Sequence, residues 1–283
     1  MAISKAVLIT GCSTGIGRAT ALRLAKAGHT VYATARKVET LQDLAAAGCK
    51  VMALDVCDEA SIRRAVSLVE QEQGAVGVLI NNAGYGSEGP IEEVPMEEVR
   101  RQFETNVFGL TLLTKLVLPG MRKQGWGKIV NLSSMGGRMT LPGGGFYHAT
   151  KYAVEAISDA LRFEVQGFGI DVVVIEPGPI KTEFGDTAIK RVAALGGPES
   201  PYREFLTVLQ RQIRDAYEGP MGRLAADADA VAKAIETAIT ASRPKTRYVI
   251  TMAAHVMMGL RRWVGDRGWD AVMRTQFPTP KGA

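Results

Sequence analysis

The chain has 283 residues, 46% of them hydrophobic and 22% charged, which is the make-up of a folded globular domain and excludes a disordered or fibrous chain. Lys and Arg outnumber Asp and Glu by 34 to 29 for a net charge of +5, but eight of the bases and only two of the acids lie beyond Thr240, so the nearly neutral remainder argues against a nucleic-acid-binding body. Cys12, Cys49 and Cys57 have no CxxC spacing, which favours a reducing, cytoplasmic setting without disulfides or a zinc site, and no apolar run approaches the roughly 18 residues that cross a bilayer.

Short apolar, β-branched runs alternate with longer stretches of helical periodicity, the pattern of a parallel sheet with crossover helices. The first strand is expected at Ala6–Thr10, too short for the apolar core of a signal peptide, and is followed by a helix over Ile16–Ala27 that Gly28 stops. Next come a strand at Thr30–Ala35, a helix at Glu39–Ala46, a strand at Lys50–Leu54 and a helix at Glu59–Gln73, with Gly48 and Gly74 as stops. The strand Val76–Ile80 leads into a long helix, Met96–Met121, then the strand Lys128–Leu132 and the helix Tyr147–Val165. After the strand Asp171–Ile175, the Gly- and Pro-punctuated stretch 183–226 reads as a lid over a substrate site, with one helix at Glu204–Tyr217. The helix Asp227–Ala241 and the strand Arg247–Ile250 complete seven strands and leave 251–283 as a C-terminal helical extension. The expectation is one α/β domain over 1–283, a doubly wound seven-stranded parallel sheet.

Directly after the first strand stands Thr10-Gly11-Cys12-Ser13-Thr14-Gly15-Ile16-Gly17. Its glycines allow a tight turn and close approach of a pyrophosphate, while the helix behind it offers unpaired N–H groups and a positive dipole end. Taken alone, such a turn can equally be structural. Further on, Tyr147 and Lys151 are four residues apart and so share one helix face. An ammonium beside a phenol favours the phenolate and brings a pKa near ~10 toward neutrality, which makes a usable acid/base; a shared solvent face is the plainer alternative. His148 points about 100° away from that face, and no G-x-S-x-G elbow surrounds Ser134, so a hydrolase is not supported. The three scattered histidines suggest no metal site.

With Asp55-Val56, Asn81-Asn82-Ala83-Gly84, Asn106, Ser134, Tyr147-x-x-x-Lys151 and Pro177-Gly178-Pro179-Ile180-Lys181-Thr182, the G-x-x-x-G-x-G turn resembles the short-chain dehydrogenase/reductase family over about Lys5 to Glu183. The resemblance implies a Rossmann-type fold and a catalytic set of Asn106, Ser134, Tyr147 and Lys151. In it Tyr147 moves the proton, Ser134 steadies the substrate oxygen, Lys151 lowers the phenol pKa and binds the nicotinamide ribose, and Asn106 anchors a water relay. It also implies a dinucleotide held by Gly11, Ser13, Thr14, Gly15, Ile16 and Gly17, with Asp55 and Val56 at the adenine. Asn82, Ala83, Gly84, Tyr147, Lys151, Pro177, Gly178, Ile180 and Thr182 would lie around the nicotinamide half, with Asn81 bonding within the sheet. An acid at the end of the second strand would select NAD, but Ala35 stands there, followed by Arg36 and Lys37. A guanidinium suits a 2′-phosphate, so NADP(H) is expected with Arg36 as its reader.

Met135, Met139, Leu141, Phe146 and Phe184 are expected to wall an apolar substrate site without a fixed charge. The resemblance is nearest to the 17β-hydroxysteroid, retinol and acyl-dihydroxyacetone-phosphate reductase-like branch, which leaves steroid, retinoid and lipid substrates open. A catalytically silent dinucleotide sensor and an epimerase or dehydratase are the rival readings. Homo-oligomers are implied through the helices Met96–Met121 and Tyr147–Val165. In the extension, Val256, Met257, Leu260, Trp263 and Val264 form an apolar stripe beside Arg261 and Arg262, suited either to packing over the cleft or to an anionic membrane surface.

Overall fold

The computed structural model describes residues 2–197, 199–217 and 225–280, so parts of the expected lid (198 and 218–224) and the last residues of the extension (281–283) lie outside it. The first half runs β1 (Val7–Ile9), α1 (Gly15–Lys26), β2 (Val31–Ala35), a 3-10 turn into α2 (Gln42–Ala46), β3 (Lys50–Ala53), α3 (Glu59–Gln73) and β4 (Val78–Asn81). After it come α4 (Met96–Phe103), a π-helical turn at Glu104–Gly109, α5 (Leu110–Gln124), β5 (Gly127–Leu132), α6 (Gly145–Val165) and β6 (Ile170–Glu176). The last part is β7 (Ile180–Lys181), α7 (Phe184–Ala193), α8 (Arg203–Tyr217), β8 (Ala226–Asp227), α9 (Ala228–Thr240), β9 (Arg247–Val249) and α10 (Met252–Arg274).

Seven strands pair in the order β3-β2-β1-β4-β5-β6-β9, and every pairing is parallel. The order reverses between β1 and β4, the place where open α/β sheets leave a crevice at their carboxyl ends. Because side chains alternate along a strand, Val7 and Ile9 enter a core with Leu24, Val231 and Ile235 from α1 and α9, while Leu8 enters another with Ile62, Leu113 and Leu161 from α3, α5 and α6. Both faces are covered, which is why the strands read as continuous apolar runs rather than alternating ones.

Three departures from the sequence reading matter. The long helix expected over Met96–Met121 is interrupted by the π turn around Asn106, whose side chain is engaged outside the helix. The lid holds a second helix, α7, which packs on α8 through Ala188, Val192, Leu206 and Leu209, and a short parallel pair, β7 with β8, joins its two ends. The apolar stripe of the extension is divided: α10 breaks at Gly265 (φ +64°), and Met257, Val264, Trp269 and Met273 turn toward Met135, Met139 and Leu141, whereas Val256 and Trp263 stay outside with 59% and 86% exposure. No described helix is long and apolar enough to cross a membrane.

Candidate active site

The turn after β1 is built for close approach. Gly11 and Gly15 have φ of +72° and +57°, and a Cβ on Gly17 would lie 2.4 Å from both the Gly11 carbonyl oxygen and the Asn82 amide nitrogen. Asn82 locks the turn from β4: its Nδ2 donates to the carbonyls of Thr10 (2.8 Å) and Gly11 (3.0 Å), while Thr10 Oγ1 accepts from the Asn82 and Ala83 backbone N–H groups. Asn81 turns into the sheet and donates to Asn131 and Thr114. At the start of α1, Thr14 makes no side-chain cap, and the first turn carries no acid, so its N–H groups are left to an anion. Ser13 and Ile16 flank that turn half-buried, and Thr182 approaches it, its Cγ2 standing 3.3 Å from where a Cβ on Gly15 would be.

Arg36 is exposed just beyond β2, makes no ion pair among the described residues, and faces the loop after β3, where its charge acts on Cys57. In that loop Val56 is buried, and the Asp55 carboxylate accepts from the Cys57 N–H at 2.9 Å. At the end of β6 the carbonyl of buried Pro177 accepts from Met135 N–H, and Ile180 is buried nearby in β7. Gly178 fits against the start of α10 only because it has no Cβ, which would meet Thr251 Oγ1 at 2.1 Å.

Four residues expected to carry the chemistry converge between β4, β5 and α6. Lys151 is buried, donates from Nζ to the Leu132 carbonyl at 2.8 Å, and sits 5.7 Å from the centre of the Tyr147 ring. A Cβ on Gly84 would be 3.1 Å from Asn106 Oδ1 and 3.7 Å from Lys151 Nζ, which ties the loop after β4 to both. Ser134 Oγ accepts from Gly136 N–H at 3.1 Å, leaving its own hydrogen to donate toward Tyr147. Asn106 clamps the same loop: Oδ1 accepts from Tyr85 N–H (3.0 Å), and Nδ2 donates to the Tyr85 carbonyl (2.9 Å) and to Thr150 Oγ1 (3.0 Å).

The electrostatics correct one expectation. Burial pushes the Tyr147 phenol well up from its ordinary value, the Ser134 hydrogen bond opposes this, and the Glu88 charge adds to it; Lys151 does not bring it toward neutrality. Burial instead pushes the Lys151 amine down to about 8, with Glu155 one turn further along α6 resisting. Glu155 and Glu176 are both buried and share Arg247 from β9, which reaches Glu155 at 3.0 Å and Glu176 at 3.2 Å, while Arg138 also holds Glu176. The His148 ring lies 5.6 Å from that of Tyr147, centre to centre, but its hydrogen bond is made elsewhere. Its Nδ1 accepts from Leu141 N–H at 3.2 Å, and burial drives its pKa down to about 4.

The apolar wall is met in part. The Phe184 ring centre is 5.6 Å from that of Tyr147, Met135 and Leu141 are half-buried, and Met139 is fully buried behind the wall against Trp269 and Met273. The charge of Glu88, on the loop after β4, raises the Tyr147 phenol, and the Tyr217 ring from the end of α8 lies against Gly185, next to Phe184.

A family model described as short chain dehydrogenase matches residues 5–192. A 3-ketodihydrosphingosine reductase of Bacteroides thetaiotaomicron is 43% identical over 214 residues, 74% of this chain and 77% of that protein. An NADPH-dependent 3-dehydrocapnine reductase of Ornithobacterium rhinotracheale is 35% identical over 276 residues, 94% of each chain. Among solved structures, a short-chain dehydrogenase from Streptomyces avermitilis aligns with a TM-score of 0.78 at 34% identity, covering 96% of this chain and 97% of that one.

Proposed function

Since the chain belongs to the short-chain dehydrogenase/reductase family, we propose that it reduces a hydrophobic lipid ketone with NADPH, Tyr147 supplying the proton. The observation that carries this reading is the meeting of Ser134, Tyr147 and Lys151 beside Gly84 at the carboxyl edge of the sheet, on the loop that Asn82 locks to the glycine turn. The turn fits a dinucleotide: three glycines where a Cβ would clash or φ is positive, an uncapped helix start and no acid in its first turn. Gly11 to Gly17 would hold the pyrophosphate, and Arg36 a 2′-phosphate. Asp55 and Val56 would contact the adenine, and Asn82 to Gly84, Pro177, Gly178, Ile180 and Thr182 the nicotinamide half. When bound, NADPH supplies the hydride that reaches the carbonyl carbon.

The protein's own part is to hold and protonate the oxygen. A phenol kept protonated by burial is the form that donates, so Tyr147 gives its proton to the carbonyl oxygen as the alcohol forms, and the Ser134 O–H bonds the same oxygen. Lys151, with a pKa near 8, exchanges protons readily around neutrality and sits where it can restore the phenol. Asn106 fixes the loop carrying Tyr85 and thereby Gly84 beside Lys151.

Of steroid, retinoid and lipid, the relatives' printed names favour a lipid ketone. The outer face of α10 agrees: Met252, Val256, Leu260 and Trp263 are exposed at helical spacing near Arg261 and Arg262, a face suited to an anionic lipid surface. Phe108, Tyr152 and Phe163 are exposed on the π turn and α6, where a second copy would cover them; gel filtration tests this. The decisive assay follows NADPH oxidation with long-chain ketones, steroids and retinal, NADH run in parallel, for the wild type and Arg36→Ala. Net oxidation with a long-chain ketone and an NADPH preference that shrinks in the variant are expected. NADPH binding without consumption would instead mean a sensor, and turnover without net consumption an epimerase or dehydratase.

A further inference from the structure

The first helix of the insertion grips the loop on which the reacting centre is built. Phe184 and Arg191 stand seven residues apart in α7, two turns along one face. At one end the Phe184 ring meets Tyr147, centre to centre at 5.6 Å; at the other the Arg191 guanidinium lies over the Tyr85 ring, 4.1 Å from its centre. Arg191 also pairs with Glu98 of α4, a carboxylate whose side chain is only 13% exposed. Asn106 lies eight residues beyond Glu98, in the π turn that follows α4, and holds Tyr85 by its backbone: Oδ1 accepts from Tyr85 N–H at 3.0 Å, and Nδ2 donates to the Tyr85 carbonyl at 2.9 Å. The contacts close a circuit, from α7 through the ring and backbone of Tyr85 to Asn106, and back along α4 to Glu98 and Arg191.

An amide that exchanges two hydrogen bonds with one residue's backbone points where that backbone sits. The Asn106 amide is therefore placed by Tyr85, and its Nδ2 donates once more, to Thr150 Oγ1 at 3.0 Å, next to Lys151 in α6. A Cβ on Gly84 would stand 3.1 Å from Asn106 Oδ1 and 3.7 Å from Lys151 Nζ, so a shift of Tyr85 is felt at both. Glycines at 84 and 86 flank Tyr85 and leave its backbone little stiffness of its own. A flat guanidinium over its ring, tethered by a mostly buried carboxylate, supplies that stiffness. We infer that Arg191 is a positioning residue, which through Tyr85 fixes the Asn106 amide and Gly84 beside Lys151. The insertion thus sets how fast the centre works as well as what enters it. The inference rests on the reductase reading and adds to that site a residue from outside the sheet and its crossover helices.

The test has two arms. Amide hydrogen exchange of the NADPH-bound protein follows the Tyr85 N–H that Asn106 holds. In Arg191→Met it should exchange about tenfold faster, the scale of one lost cation–π contact, and Arg191→Lys, which keeps the charge without the flat face, should fall between. In single-turnover NADPH oxidation at saturating long-chain ketone, Arg191→Met should slow the step about tenfold in the wild-type background and less than about twofold in Asn106→Ala, where no amide remains to be placed. NADPH titration and urea unfolding check that each variant is folded. Unchanged exchange at Tyr85, no slowing in the wild-type background, or equal slowing in both backgrounds overturns the inference. If no ketone is turned over, the reductase reading fails, and the exchange of Tyr85 still decides the clamp: faster exchange in Arg191→Met supports it, and unchanged exchange overturns it.

Discussion

Replacing Lys151 by Met should make the protein more stable at neutral pH while removing its activity. The buried amine has its pKa lowered from 10.5 to about 8, a difference that corresponds to about 3 kcal/mol. Below pH 8 the amine is charged in both folded and unfolded chains, so the folded state carries the whole penalty. Between pH 8 and 10.5 the folded amine loses its proton while the unfolded one keeps it, the unfolded chain binds more protons, and stability rises with pH. Met fills similar space without charge but leaves the Leu132 carbonyl without its donor, a loss of about 1 kcal/mol. At pH 7 Lys151→Met should therefore exceed wild type by about 2 kcal/mol, and the order should reverse by about pH 10.5. Urea unfolding of both proteins at several pH values reads this directly, and NADPH-dependent ketone reduction should fall at least about a hundredfold in the variant. A gap that does not change with pH, or a variant already weaker at pH 7, would refute the burial argument.

Tyr147→Phe should lower ketone reduction by about 10²–10⁴ with NADPH binding retained, measured by steady-state rates and fluorescence titration. Arg247→Met leaves Glu155 and Glu176 buried with reduced compensation, and should cost about 3–5 kcal/mol in urea unfolding. His148 has its pKa lowered to about 4, so from pH 6.5 down to 4 the unfolded chain takes up the proton first and wild type loses stability; in His148→Asn that slope should disappear from unfolding measured across the same range.

The strands, the glycine turn and the Tyr147–Lys151 pair were legible because each depends on spacing within a few residues. The π turn was not, because the groups that engage Asn106 come from Tyr85 and Thr150, far along the chain. Helix α7 does carry a helical pattern, Phe184, Ala188 and Val192, but Gly185 and the Gly-Gly-Pro that follows masked it. The direction of the Tyr147 shift depends on how completely lid, loop and sheet exclude water, which no local motif encodes.

The pairing of Ile180 with Ala226 and of Lys181 with Asp227 sets the entry and exit of the insertion about one strand spacing apart, ~4.8 Å. The insertion thus leaves and rejoins the sheet edge at a single point, while Arg191 and Tyr202 within it tie it to Glu98 and Glu92. Exchanging 183–225 for a segment of different length or shape would leave the glycine turn in place but would take Phe184 from Tyr147 and Leu195 from Gly89. Editing this insertion therefore changes what enters the cleft and the wall beside Tyr147 together.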